Sequence, residues 1–161
     1  MERTRILVVS SFTLLREGLC ALLSAHPHWQ VAGETPDWEA VREQVSRTRP
    51  HVVVVDVPQV DSGFEALIHG LRERPQAPTI VVLSHQNDEA VLLRILNSGV
   101  QACLSEMEGP GDLVAAIEAL VKGTSFLCPA ASRALLQGYR RRVRRGTCED
   151  PLFELKRRRH P

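Results

Sequence analysis

With 161 residues, 43% of them hydrophobic and 24% charged, the chain has the composition of a globular protein large enough to bury a proper core. No apolar run approaches the roughly 18 residues of a membrane-crossing helix, and no basic-then-apolar leader opens the chain, so a cytoplasmic location away from membranes is expected. The net charge of +1 hides a split: residues 1–128 hold 10 of the 20 basic and 16 of the 19 acidic residues, and residues 129–161 hold the rest, so an acidic body carries a basic tail.

Taken in order, Arg5–Val9 predicts a buried strand that runs into Ser10-Ser11, a turn and helix-capping pair. Phe12–Ala25 follows as a helix, with Leu14, Leu15, Leu19, Leu22 and Leu23 at helical spacing. Those leucines cover more than one stripe. The histidines around Pro27 read as a solvated turn. Trp29–Ala32 is a weaker, peripheral strand, and Thr35-Pro36-Asp37 opens a helix through Arg47 with Asp37 placed to cap it.

The chain is organised around His51–Asp56, where four consecutive valines end on a carboxylate. A short β-branched run with nothing polar inside it is a strand covered on both faces, as in the centre of a parallel sheet. In open α/β sheets the chemistry collects at the carboxyl ends of the strands, and Asp56 falls at that edge. The bland alternative is that Asp56 only caps the loop Val57–Ser62.

A helix from Gly63 to Arg72, a strand Thr79–Leu83 ending in Ser84, and a helix from Asn87 or Asp88 to Ser98-Gly99 come next. Gln101–Ser105 is a fifth short strand, and Gly111-Asp112 leads the helix Leu113–Val121. Five strands alternating with five helices predict an α/β fold: a doubly wound, five-stranded parallel sheet built of βαβ units. Pro129 then starts a C-terminal helix (residues 128–145) with a narrow stripe of Leu135, Leu136, Tyr139 and Val143 among arginines. Residues 146–161 read as a linker-like basic tail closing on Lys156–Pro161. Cys20, Cys103, Cys128 and Cys148 are widely spread, which favours reduced thiols over disulfides or zinc.

The order of these elements resembles the receiver domain of bacterial two-component response regulators, a flavodoxin-like (βα)5 fold, over residues 4–127. The sub-pattern looks like regulators with a LuxR- or NarL-type helix-turn-helix output. The resemblance is carried by Ile6–Val9, Thr13–Leu19, Pro50–Asp56, Gly63–Leu67, Val82-Leu83-Ser84, Gly99 and Gly123–Pro129. It implies that Asp56 is the phospho-acceptor, that Ser84 supplies the hydroxyl that bonds the phosphoryl group, and that a sensor histidine kinase is the upstream partner.

The same resemblance exposes departures. The family's acidic pair after the first strand, which helps hold Mg2+, falls on Ser10 and Ser11, and a neutral hydroxyl is a weak ligand for that ion. Its phosphoryl-binding lysine falls on Glu106, which repels a phosphoryl group, and its switch aromatic falls on Cys103. Weak Mg2+ binding, no resident cofactor, no independent enzyme activity and impaired phosphotransfer are therefore expected, unless Glu106 or Asp61 supports another metal geometry. Residues 150–155 look like the lead-in to an output domain, but too few residues follow to form one.

Two other readings stay open: a phosphorylation-independent module for dimerisation or protein contact, and a transcription regulator touching nucleic acid non-specifically through its tail. A homodimer is expected, formed by the Phe12–Ala25 helix together with Leu113, Ile117 and Leu120.

Overall fold

The computed structural model describes residues 2–105 and 107–146. Among them, six strands form one sheet in the order β2-β1-β3-β4-β5-β6: β1 (Thr4–Val9), β2 (Trp29–Thr35), β3 (Val52–Val57), β4 (Thr79–Ser84), β5 (Ala102–Ser105) and β6 (Phe126–Leu127). Every neighbouring pair is parallel. The six helices are α1 (Thr13–Ser24), α2 (Val41–Thr48), α3 (Ser62–Arg72), α4 (Glu89–Asn97), α5 (Pro110–Val121) and α6 (Pro129–Arg144).

The parallel α/β architecture is the one expected, with one strand more. β6 is only two residues long and pairs Phe126 and Leu127 with Ala102 and Cys103. Two residues carry no period, so nothing in the sequence separates such a strand from a loop.

The valine run sits between β1 and β4, and all six residues of β3 are buried. Burying a valine is worth about 1.5–3 kcal/mol over leaving it exposed, so this strand is the largest apolar investment in the sheet. Its side chains alternate between two cores. Val53, Val55 and Val57 meet α2, α3, α4 and α6 through Val45, Ile68, Ile95 and Ala131. Val52 and Val54 meet α1 and α5 through Leu23, Ala116 and Ile117. Among the described residues, four helices thus cover one face and two cover the other.

Several local expectations are corrected. Ser11 does not cap α1: Phe12 is the capping residue without a side-chain bond, and the Phe12 N–H donates to Ser10 Oγ at 3.2 Å. Asp37 makes no side-chain cap either; a single 3-10 turn (Trp38–Ala40) intervenes before α2, because the chain must first turn after Pro36. His26 is no bare solvated turn residue, since its ring stacks on Trp29 at 3.7 Å. Leu113, Ile117 and Leu120 are buried against the sheet, so the part of the expected pairing surface assigned to them belongs to the core. The periodicity that marks them is the ordinary core stripe of α5.

Gly99 closes α4 with φ +93°, and a Cβ there would lie 2.1 Å from Arg72 Nη1, so only glycine fits this turn. α6 returns over α4 with Ala131 and Ala134 buried, Gly138 facing Leu93, and Arg141 Nη1 2.6 Å from Glu89 Oε1. No helix among the described residues is long and apolar enough to cross a membrane. Glu106, Cys148 and the rest of the tail after Gly146 lie outside the described residues.

Candidate functional site

Asp56 is the fifth residue of β3, opposite Leu83 of β4, and the strand runs one residue further than the valine pattern predicts. Its parity with Val52 and Val54 turns its side chain to the less covered face of the sheet. The carboxylate is 2% exposed. A charge this far from water has to be compensated, and two side chains do so.

Ser10 is fully buried just beyond β1, the strand beside β3, and its hydroxyl donates to Asp56 Oδ2 at 3.0 Å. Arg16 fixes that turn by donating from Nη1 to the Ser10 carbonyl at 2.8 Å. On the other side, His85 Nε2 contacts Asp56 Oδ1, with the imidazole 40% exposed and the carboxylate buried. The carboxylate can only accept, so the ring donates to it when Nε2 carries the proton. Both oxygens of Asp56 are thereby engaged within the chain.

Of the other expected site residues, Ser84 ends β4 and is buried, but its hydroxyl donates to the Gln86 carbonyl at 2.8 Å and accepts from the Gln86 N–H at 3.2 Å. It stands beside the site and holds the turn that presents His85. Ser11 is exposed and makes no contact with Asp56. Asp61 is not at the site: it caps α3, its Oδ1 accepting from the Phe64 N–H at 3.0 Å.

Cys103 points to the opposite face of the sheet, towards the α6 side. There its thiol hydrogen-bonds the thiol of Cys128, which with burial pushes Cys103 up. Cys128 is shifted down, because that bond and the Ala131 N–H at the start of α6 favour its thiolate against burial. At the end of β5, Glu108 Oε2 accepts from the Ser105 N–H at 2.7 Å and from the Ser105 hydroxyl.

His85 is the functional residue that the sequence reading missed. It follows Ser84, and Ser84 pairs in register with Val57, the neighbour of Asp56. A residue just past a strand end, beside a strand that ends on a carboxylate, is the signal that could have found it.

For a divalent cation the donor set is poor. Mg2+ takes hard oxygen ligands in a near-octahedral shell, commonly with carboxylates among them. Among the described residues no three His, Cys, Asp or Glu side chains converge to hold a metal. At Asp56 a single carboxylate stands between a hydroxyl and an imidazole, which does not fit that ion.

Comparisons with known proteins bear on the family and the fold. The family profile described as "Response regulator receiver domain" matches residues 6–118. Relatives include the transcriptional regulatory protein DegU of Brevibacillus brevis, 27% identical over 88% of this chain and 60% of that protein. The DNA-binding transcriptional activator DevR/DosR of Mycobacterium tuberculosis is 29% identical over 94% of this chain and 68% of its own. The nitrate/nitrite response regulator NarL of Escherichia coli is 27% identical over 96% and 70%. Against these relatives the chain spans about 60–70% of their length.

Among solved structures, the isolated receiver domain of RcsB from Salmonella enterica serovar Typhimurium superposes with a TM-score of 0.73 at 22% identity, covering 83% of this chain and 99% of that one. A LuxR-family two-component response regulator from Aurantimonas gives a TM-score of 0.76 at 23% identity, covering 86% and 99%.

Proposed function

The chain belongs to the response regulator receiver domain family of two-component signalling, and from that premise we propose that it is a receiver whose Asp56 is neutralised from within. The carrying observation is the placement of the Asp56 carboxylate between the Ser10 hydroxyl and the His85 imidazole. In this reading, His85 and Ser10 take the place of the cation and acidic residues that the family gathers at the same sheet edge.

Attack of a carboxylate on phosphorus needs a free oxygen lone pair and positive charge to collect the phosphoryl oxygens. Here each Asp56 oxygen already faces an internal partner, so attack competes with the contacts to Ser10 and His85, and the donor set suits Mg2+ poorly. Phosphorylation of Asp56 is therefore slow and short-lived, and the domain signals through its surfaces rather than through a metal-assisted phosphoryl switch. A histidine kinase can still be an upstream partner, by docking rather than by efficient transfer.

The test is labelling by a small phosphodonor in the presence of Mg2+. The unmodified chain should label weakly. Ser10→Asp, Ser11→Asp, Glu106→Lys and His85→Ala combined should label well, and Asp56→Asn in that background should abolish it. Ready, Mg2+-dependent labelling of the unmodified chain on Asp56 would overturn the reading. A folded but inert quadruple variant would also count against it, by placing the defect outside these four side chains.

A further inference from the structure

The face of the sheet opposite Asp56 holds two thiols that the candidate site does not use. Cys103 lies in β5 opposite Leu127 of β6, and the Cys128 N–H donates to the Cys103 carbonyl at 3.0 Å. Neighbouring strands run about 4.8 Å apart and each residue rises about 3.3 Å, so Cα atoms one step out of register lie roughly 6 Å apart, inside the span of about 4.4–6.8 Å that a disulfide bridges. Both side chains belong to one buried cluster, and their thiols already hydrogen-bond each other.

The two thiols are not equivalent. The Cys103 thiol donates to Cys128 Sγ, and Cys128 is also the capping residue of α6, where its Sγ accepts from the Ala131 N–H at 3.4 Å. Two donors and the positive end of a 16-residue helix favour a thiolate at Cys128 against burial. Cys103 keeps its proton, because it is the donor of the pair and is itself buried. Oxidation needs this division: a thiolate that attacks, and a neighbouring thiol that closes the bond. A buried cysteine without such partners is inert. Cys20 is an internal comparison, since burial and the Glu34 carboxylate push its pKa up to about 12 and keep it protonated at neutral pH.

We propose that Cys103 and Cys128 form a site of reversible oxidation, at which hydrogen peroxide converts the pair to a disulfide. The Cys128 thiolate attacks one peroxide oxygen, the O–O bond breaks, and the departing hydroxide takes up a proton as water. Sulfur is oxidised to a sulfenic acid and the peroxide is reduced. Cys103 then attacks the sulfenic sulfur, the S–O bond breaks as the S–S bond forms, and the hydroxyl leaves with the Cys103 proton as a second water. Two thiols and one peroxide thus give one disulfide and two waters. The bond ties the start of α6 to β5. With the two side chains 0% and 1% exposed, the site selects an oxidant near the size of water over a bulky disulfide such as oxidised glutathione. The proposal does not rest on the reading of Asp56 and stands or falls without it.

The experiment exposes the full chain to excess hydrogen peroxide, alkylates the remaining thiols under denaturing conditions and maps tryptic peptides by mass. Cleavage after Lys122 puts Cys103 and Cys128 on separate peptides, so a link between them is read directly. The expected product is that linked pair, lighter by two hydrogens and released by dithiothreitol, forming about tenfold or more faster than Cys20 is oxidised. Oxidised glutathione should form it about tenfold or more slowly than peroxide does. Cys103→Ala should leave Cys128 as a sulfenic acid that dimedone captures, and Cys128→Ser, which keeps a capping hydroxyl, should leave Cys103 a thiol. The map of the unmodified chain decides the matter even where a variant fails to fold. Thiols unchanged in excess peroxide, Cys20 oxidised as fast as the pair, or Cys103 and Cys128 oxidised without a link would each overturn the proposal. So would equal reaction with oxidised glutathione, or dimedone capture at Cys103 instead of Cys128.

Discussion

Cys20 shows what burial beside a carboxylate does to an ionisable side chain. Its thiol donates to Glu34 Oε2 at 2.8 Å, and burial together with that carboxylate pushes its pKa up to about 12. In the unfolded chain the thiol ionises near its ordinary value of about 8.5. The folded state therefore keeps a proton that the unfolded state releases, and above that value stability falls as pH rises. The contribution is fully present below about pH 8 and is lost progressively towards pH 12. Melting temperatures between pH 7 and pH 10 should decline more steeply for the original chain than for Cys20→Ala; parallel declines would contradict the assignment. The same reasoning makes Cys20 slow to alkylate at pH 8 while folded, since the thiolate is the nucleophile.

Legibility at this scale was uneven. Asp56 could be placed at a strand end from the valine run alone, and the departures at Ser10, Ser11 and Cys103 from the family pattern. The engagement of Asp56 could not be placed, because it depends on a histidine 29 positions away that only the register of β3 with β4 brings near. The sequence spacing separates Cys103 from Cys128 for a similar reason. Their meeting requires β6, which has no sequence signal of its own.

Helices α4 and α6 are held by close approach rather than by a wide apolar stripe. A Cβ at Gly138 would sit 2.9 Å from Leu93 Cδ2, so the glycine sets how near the two helices lie. Gly138→Leu should force them apart and cost about 1–3 kcal/mol, as overpacking does, read as a lower urea midpoint. Gly138→Ala should come closer to neutral, because its gain in helix propensity of up to about 1 kcal/mol offsets a contact that a flexible leucine can yield. An unchanged midpoint for Gly138→Leu would show that α6 does not depend on this approach. The expected leucine stripe of α6 is partly misread in turn. Leu135 and Leu136 are exposed, and the buried residues are Ala131 and Ala134, whose small size gave no periodic apolar signal.

At the scale of the whole molecule, uneven helix coverage links fold to function. Four helices seal one face, and the Cys103–Cys128 contact lies there, dry and remote from Asp56. The other face keeps an apolar trough that leads to the carboxylate, with Phe12 and Leu14 exposed beside it at 60% and 73%. The wide leucine coverage of α1 is legible in the sequence, where it predicts a dimer surface shared with α5. Leu113, Ile117 and Leu120 pack into the core, whereas Leu14 of α1 stays exposed and Leu15 and Leu22 are half-buried beside the trough.

If Ser10 and His85 satisfy Asp56, Mg2+ should find no site there. Backbone amide NMR of the unmodified chain, followed during a Mg2+ titration into the millimolar range, tests it directly at Asp56, Val57 and Ser84. Internal neutralisation predicts no saturable shift at these amides, and the appearance of one in His85→Ala combined with Ser10→Asp and Ser11→Asp. A saturable shift centred on Asp56 in the unmodified chain would contradict it.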